Sequence, residues 1–339
     1  MTAQDDGREL STADAEGWRG KLARYSRPSF LRGGFELAIT AGPLALAWAA
    51  MVVAVHFGLY WLYVPLLPLA GVLLMRLFMI QHDCGHGAFF PDRAVNDWTG
   101  RVLSVLTLTP YDHWRRSHAI HHATSGNLDR RGIGDINTLT VAEYRALGFW
   151  KRLLYRLYRH PAVMFGLGPA YIFLLDNRLP FGFMTKGWMP WLSTQTTNIG
   201  IAAFAGLGIW TLGFNVFALI YTPTALVAAS VGVWLFYVQH QFDPAHWERN
   251  TNWSAGEAAL MGSSYYDLPI VLRWFTANIG VHHVHHLSSR IPYYRLGQAM
   301  RDNPALTGIS RLTLEQSLKC PRLALWDEAK RRMVSFEEA

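Results

Sequence analysis

The chain has 339 residues, of which 51% are hydrophobic and only 16% charged, and it carries a formal net charge of +7. Soluble domains average about a quarter charged residues, so this composition argues against a water-soluble protein and for one embedded in a bilayer. With only two cysteines, Cys84 and Cys320, it also argues against a disulfide framework.

Residues 1–36 form an N-terminal segment whose start, Met1–Gly17, is polar and acidic and lacks the basic start and apolar core of a cleaved signal peptide. A bilayer core of ~30 Å needs roughly 20 apolar residues per helix, and four stretches reach or approach that length. Residues 37–55 and 59–80 predict one transmembrane hairpin, closed by a short apolar turn around Phe57. Residues 199–212 and 216–238 predict a second, closed by a turn containing Gly213 and Asn215. The apolar run 199–212 is short and reaches spanning length only by taking in polar residues back towards Trp191. Two further runs, Val102–Leu108 and Ala162–Leu175, are too short to span and read as interfacial or buried helices. The expected fold is therefore all-α and integral to the membrane. Residues 37–300 form the membrane domain, with four spans in two hairpins under a cytoplasmic helical cap, and residues 301–339 form a charge-mixed cytoplasmic tail.

Orientation follows from the 31 lysines and arginines: 6 precede the first hairpin, 13 lie between the hairpins, 11 follow the second, and none falls in the two tight turns. The positive-inside rule then places the N-terminus, the middle segment and the C-terminal segment in the cytoplasm. Arg76, the remaining one, sits near the inner end of the second span, from where it is expected to snorkel to the interface. Membrane orientation accounts for the positive charge without a nucleic-acid partner, since no basic stripe with interleaved aromatics stands out.

The 14 histidines are clustered. His82 and His86 follow the second span directly, and a helix continued past its end would carry both on one face. His118, His121 and His122, and then His282, His285 and His286, repeat the pattern H-x-x-H-H, which projects three imidazoles from one face if helical. His240 leaves the fourth span as His82 leaves the second. Because the spans pair as hairpins, all four elements end on the same side of the membrane. Nine imidazoles are too many for one ion and suit two, with four or five nitrogens each. Imidazole accepts Zn, Cu, Fe or Ni, so the residue type does not choose the metal. His283 points off the ligand face and is read as a non-ligand. His113 and His246 lie near enough for an outer role, and His56 and His160 read as structural. Asp83, Asp129 and Asp135 are candidate partners for imidazole N–H groups, and equally candidate caps or solvated loop acids.

The groups His82-Asp83-Cys84-Gly85-His86, His118-Ala119-Ile120-His121-His122 and His282-His283-Val284-His285-His286 resemble the three histidine boxes of membrane fatty acid desaturases. Residues 106–128, 234–242 and 278–292 are similar to bacterial acyl-lipid desaturases of the Bacillus type, and the resemblance covers about residues 30–300. It implies a centre of two Fe ions held by the eight box histidines and His240. It implies too that O2 and two electrons serve to insert a double bond into a fatty acyl lipid. No haem or flavin domain is evident, so the electrons are expected from a separate ferredoxin-like carrier docking on a basic cytoplasmic face at the cell's inner membrane. Two positions depart from the pattern. Related animal enzymes have an asparagine four residues before the singleton histidine, where this chain has Phe236, and Asp243-Pro244-Ala245-His246 lacks an expected acidic pair. The competing readings are a histidine-box hydroxylase or ketolase, and a non-enzymatic metal-binding membrane protein. The latter would carry its histidines within the spans.

Overall fold

The computed structural model describes residues 12–180 and 186–339, so the first residues of the N-terminal segment lie outside it. In chain order the helices are α1 (Thr12–Leu22), α2 (Phe30–His56), α3 (Tyr60–Gly85), α4 (Arg93–Leu106), α5 (Tyr111–Thr124), α6 (Val141–Ala146), α7 (Phe149–Arg159) and α8 (Gly168–Leu174). They continue with α9 (Met189–Leu212), α10 (Phe214–His240), α11 (Ala255–Met261), α12 (Ile270–Phe275), α13 (His282–Leu287), α14 (Tyr293–Asp302) and α15 (Leu314–Ser317).

Among the described residues three helices, α2, α3 and α10, are long and apolar enough to cross a membrane. α2 and α3 form an antiparallel hairpin, and α9 and α10 form another. α3 and α10 run parallel to each other: near their starts the Tyr63 hydroxyl donates to the Leu219 carbonyl at 2.8 Å. Midway, a Cβ at Gly71 would come within 2.3 Å of the Val227 side chain, so only glycine allows this approach. The bundle thereby brings the C-terminal ends of α3 and α10, and with them His82 and His240, to one end.

α9 has the length of a span but begins with a polar half. Its buried Ser193, Thr194 and Thr197 face protein. The Thr197 and Ser104 hydroxyls lie 3.4 Å apart, and the His113 amide donates to Ser193 Oγ at 3.3 Å. The first turns of α9 pack on α4 and α5, which is why its apolar run is short.

The remaining helices cover the end of the bundle where α3 and α10 finish. The run Val102–Leu108 is the last turn of α4 and the bend beyond it, and Ala162–Leu175 is a π-helical turn, Val163–Leu167, followed by α8. Among the described residues five short strands qualify the all-α expectation: β1 (Leu139–Thr140), β2 (Tyr265–Asp267), β3 (Arg311–Thr313), β4 (Leu325–Asp327) and β5 (Arg332–Val334). β4 pairs with β1 in parallel and with β5 antiparallel, while β2 and β3 pair in parallel. At two or three residues each they are too short to leave an alternating signature. The C-terminal segment is folded on this layer, with Trp326 and Met333 buried and the Ala324 carbonyl accepting from Tyr155 at 2.8 Å.

Arg76 departs from its expected position. It is 2% exposed and does not reach an interface. Its guanidinium pairs with Glu36 of α2 at 2.6 Å, donates to Thr40 Oγ1 at 3.0 Å and to the Trp274 carbonyl, and stacks 4.3 Å from the Trp274 ring. A carboxylate on the neighbouring helix makes burial cheaper than stretching to water.

Candidate metal centre

α3 runs unbroken into the first histidine group, with His86 capping its last turn. α5 is set beside it by Tyr111, whose ring fills the space over Gly100 of α4. A Cβ there would lie 2.1 Å from that ring. The Tyr111 hydroxyl reaches the Cys84 carbonyl at 2.8 Å and the Asp97 carboxylate at 2.9 Å, tying α4, α5 and the end of α3 together. Trp114, one turn before His118, stacks on its imidazole at 4.7 Å. Ser264 joins α10 to α13: its amide donates to the Gln239 carbonyl at 3.0 Å, and its own carbonyl accepts from the His282 amide at 3.2 Å.

The nine imidazoles fall into two groups. His82, His86, His118, His122 and His285 form one, and His121, His240, His282 and His286 the other, the ligand atoms of each lying within 4.8 Å of one another. The division cuts across the H-x-x-H-H patterns. Adjacent residues on an α-helix are rotated by ~100°, so His121 and His122 diverge, as do His285 and His286. α5 therefore gives two imidazoles to the first group and one to the second, and α13 gives one to the first and two to the second. Where the groups meet, the His122 and His286 rings stack at 4.1 Å.

Every close approach within a group is between Nε2 atoms. His118 Nε2 lies 3.0 Å from His82 Nε2 and 3.1 Å from those of His86 and His122, and His285 Nε2 is 3.2 Å from that of His122. In the second group His240 Nε2 is 3.1 Å from His121 Nε2 and 3.0 Å from His282 Nε2, and His286 and His282 are 3.1 Å apart. Two nitrogens each ~2.1 Å from a common ion are ~3.0 Å apart at right angles and ~3.4 Å apart tetrahedrally. The observed separations fit the former, and five nitrogens in one group exceed a tetrahedral site by number alone.

Loss of solvent, reinforced by the neighbouring imidazoles, holds His86, His118, His122, His282, His285 and His286 well below the usual imidazole range. They are neutral near pH 7, the form that ligates a cation. Two carboxylates orient the rings from behind. Asp83 lies 3.1 Å from His82 Nδ1 and is itself held by the Tyr293 amide at 2.6 Å, while Asp135 makes a short contact with His121 Nδ1. Each carboxylate fixes the proton on Nδ1 and leaves the Nε2 lone pair facing the group. Replacing Asp135 by asparagine is expected to lower metal affinity ~10- to 100-fold without unfolding the protein, measured by chelator competition on purified protein.

The other expectations divide. Asp129 bonds Arg249 at 2.8 Å and the Asn250 amide at 2.9 Å, and so joins loops rather than an imidazole. His283 lies outside both groups, its Nε2 3.1 Å from the Leu306 carbonyl, and burial lowers it to about 4. His113 and His246 belong to neither group: the first is tied through its amide to Ser193, and the second lies 4.0 Å from Glu248. His56 packs its ring on Phe57, and His160 Nδ1 accepts from the Ala162 amide at 3.2 Å. Two contributors carry no signal in the sequence: Tyr293, which acts through its backbone, and Trp114, a wall of the site.

Beneath the imidazoles lies a cavity of about 250 Å³, lined by α3 and α10 with contributions from α4, α5 and α8, and touched by His82, His118 and His282. Along α10 it extends from Gln239 to Ala225, ~21 Å of helix. Ala225, Ala228, Ala229 and Gly232 recur there at helical spacing, so one narrow face of α10 forms the cavity floor. Phe236, at the position where an asparagine was expected, lines the cavity and packs 5.1 Å from both His121 and His240.

The fatty acid desaturase family model matches residues 59–313. A fatty acid desaturase of Bacillus subtilis is 42% identical over 318 residues, covering 93% of this chain and 89% of that relative. An sn-1 acyl-lipid omega-3 desaturase (ferredoxin) of Synechocystis is 32% identical, covering 78% and 71% of the two chains. An endoplasmic reticulum omega-3 fatty acid desaturase of Vigna radiata is 29% identical, covering 73% and 66%.

Proposed function

The chain belongs to the fatty acid desaturase family, and from that premise we propose that it is an O2-dependent acyl-lipid desaturase with a histidine-ligated di-iron centre. The observation that carries this reading is the placing of nine converging Nε2 atoms, in two groups, over the inner end of an apolar cavity between two long helices. His82, His86, His118, His122 and His285 hold one ion, and His121, His240, His282 and His286 the other. Bound there, the pair of ions supplies from O2 and two electrons the oxidising power to remove hydrogen from an unactivated methylene. The chain supplies the rest. α3 and α10 hold an extended acyl chain along the cavity, and the alanine and glycine face of α10 keeps it narrow. Asp83 and Asp135 keep the imidazoles neutral at Nε2, while Phe236 and Trp114 exclude water beside them.

α9 serves as the fourth span. Its apolar second half pairs with α10, and its polar first half lies at the level of the surrounding helices. The excess of arginine and lysine outside the tight turns supports a cytoplasmic active site in the cell's inner membrane. Electrons come from a ferredoxin-like carrier, as the name of the Synechocystis relative suggests, and reach the centre near His86, His118, His122 and His286, which keep partial exposure.

The test is the fatty acid profile of a desaturase-free bacterium expressing the chain or its His285→Ala variant, with double bonds located by mass spectrometry. A new monoene in the wild type alone is expected. A hydroxylated product would favour the hydroxylase reading, and an unchanged profile would overturn the substrate.

A further inference from the structure

α7 is a helix with almost no protein beneath it. Of its eleven residues only Tyr155 and Arg159 are buried. Arg159 reaches inwards to the Tyr237 hydroxyl at 3.0 Å, Gln241 at 2.9 Å and the Leu323 carbonyl at 2.7 Å, anchoring the helix to the end of α10. Phe149, Trp150, Leu153, Leu154 and Leu157 fall on the opposite half of the helix and are 38–73% exposed. Isolated exposed apolar side chains need no explanation, but five on one face of a three-turn helix need a cover.

The charge on α7 narrows what that cover is. Lys151, Arg152 and Arg156 are exposed, the helix holds no acid, and among the described residues none of the three pairs with a carboxylate. α4 differs here, because its Arg93 and Arg101 are neutralised by Asp97 and Asp112. Arg152 donates to the Arg145 carbonyl and Arg156 to the Tyr144 hydroxyl at 2.6 Å, so their positive charge is held in place but not neutralised, and an apolar half flanked by such cations matches an in-plane helix seated among anionic headgroups. The apolar surface continues past the π-helical turn onto Leu167, Tyr171, Leu174 and Leu175, all exposed. Within that stretch Ile172 is 38% exposed and at the same time lines the cavity, so the cavity meets the surface there.

We propose that α7 lies in the headgroup layer, where Lys151 and Arg152 bind the phosphates of anionic phospholipid, and that the acyl chain of a lipid held there passes Ile172 into the cavity. This rests on the desaturase reading and adds to it a carrier for the acyl chain, an anionic phospholipid taken laterally from the membrane.

Two measurements on iron-loaded protein in proteoliposomes test it. Since Cys84 and Cys320 are buried, a Leu154→Cys variant accepts an environment-sensitive fluorophore at one position. Its emission is expected to be quenched by phosphatidylcholine spin-labelled near the headgroup and protected from aqueous iodide; iodide quenching without lipid quenching would overturn the proposal. The second measurement compares vesicles of phosphatidylglycerol with vesicles of phosphatidylcholine, both fully acylated with the saturated substrate chain. Wild type is expected to desaturate the former at least threefold faster, and Lys151→Glu/Arg152→Glu to lose that preference while keeping its iron; a variant that keeps the preference would overturn the headgroup assignment. No preference in the wild type would sink the headgroup assignment while leaving desaturation intact; no product in either vesicle would instead strike at the desaturase reading.

Discussion

Replacing His121 by alanine is expected to abolish desaturation and to strip iron from the second imidazole group, leaving the protein in the membrane at near-normal amount. The imidazole is 1% exposed, faces the His240 Nε2 at 3.1 Å and is oriented from behind by Asp135, so no water or neighbouring side chain replaces it. Removal also leaves the Asp135 carboxylate buried and facing an empty space, which loosens the start of the 130s loop as well. Iron quantification beside a product assay separates this from misfolding. His283→Ala is the control: its imidazole is equally buried but lies outside both groups, so that variant keeps iron and loses only what one buried hydrogen bond contributes, about 1–3 kcal/mol of stability. If His121→Ala retains product, or if His283→Ala loses all iron, the division into two groups is wrong.

Arg76→Leu is expected to destabilise the protein by ~3–5 kcal/mol, the range for removing one member of a buried pair. Glu36 is 3% exposed and would keep its charge with no partner but the Tyr293 hydroxyl at 3.2 Å and the half-exposed Arg32 at 2.6 Å. The double variant Arg76→Leu/Glu36→Leu removes both charges and is expected to recover most of that loss. Thermal unfolding in detergent checks the pair. The stability change is expected to travel with iron retention, because Tyr293 bonds Glu36 through its hydroxyl and Asp83 through its amide, and Asp83 orients His82. A double variant no more stable than the single one would show that the pair does not act through its charges.

How much of this was legible in the sequence depends on the range of the interaction concerned. The long helices α2, α3 and α10 were legible because apolar runs of spanning length are a local property. Their bounds were not, since Phe30–Glu36 and Gln239–His240 continue the helices beyond the ends of the apolar runs. For α9 the apolar run 199–212 and the need to extend it back towards Trp191 were legible; why that extension is polar is explained only by α4 and α5, far away in the chain. The nine histidines were legible by spacing, and so was the odd position of His283. Which imidazole joins which group was not, because that depends on the angle at which α5 and α13 face each other. Arg76 was read as a lone charge seeking water, since Glu36 lies 40 residues earlier and its proximity comes from hairpin packing. α7 was not legible because cations at 151, 152, 156 and 159 break up its apolar residues, a pattern that resembles a solvated loop until the burial of Tyr155 and Arg159 gives it a sidedness.

The sharing of α5 and α13 between the two imidazole groups ties the geometry of one group to that of the other. A rotation of either helix moves ligands of both groups at once, so a side chain that sets the angle between α5 and α13 sets the shape of both groups together.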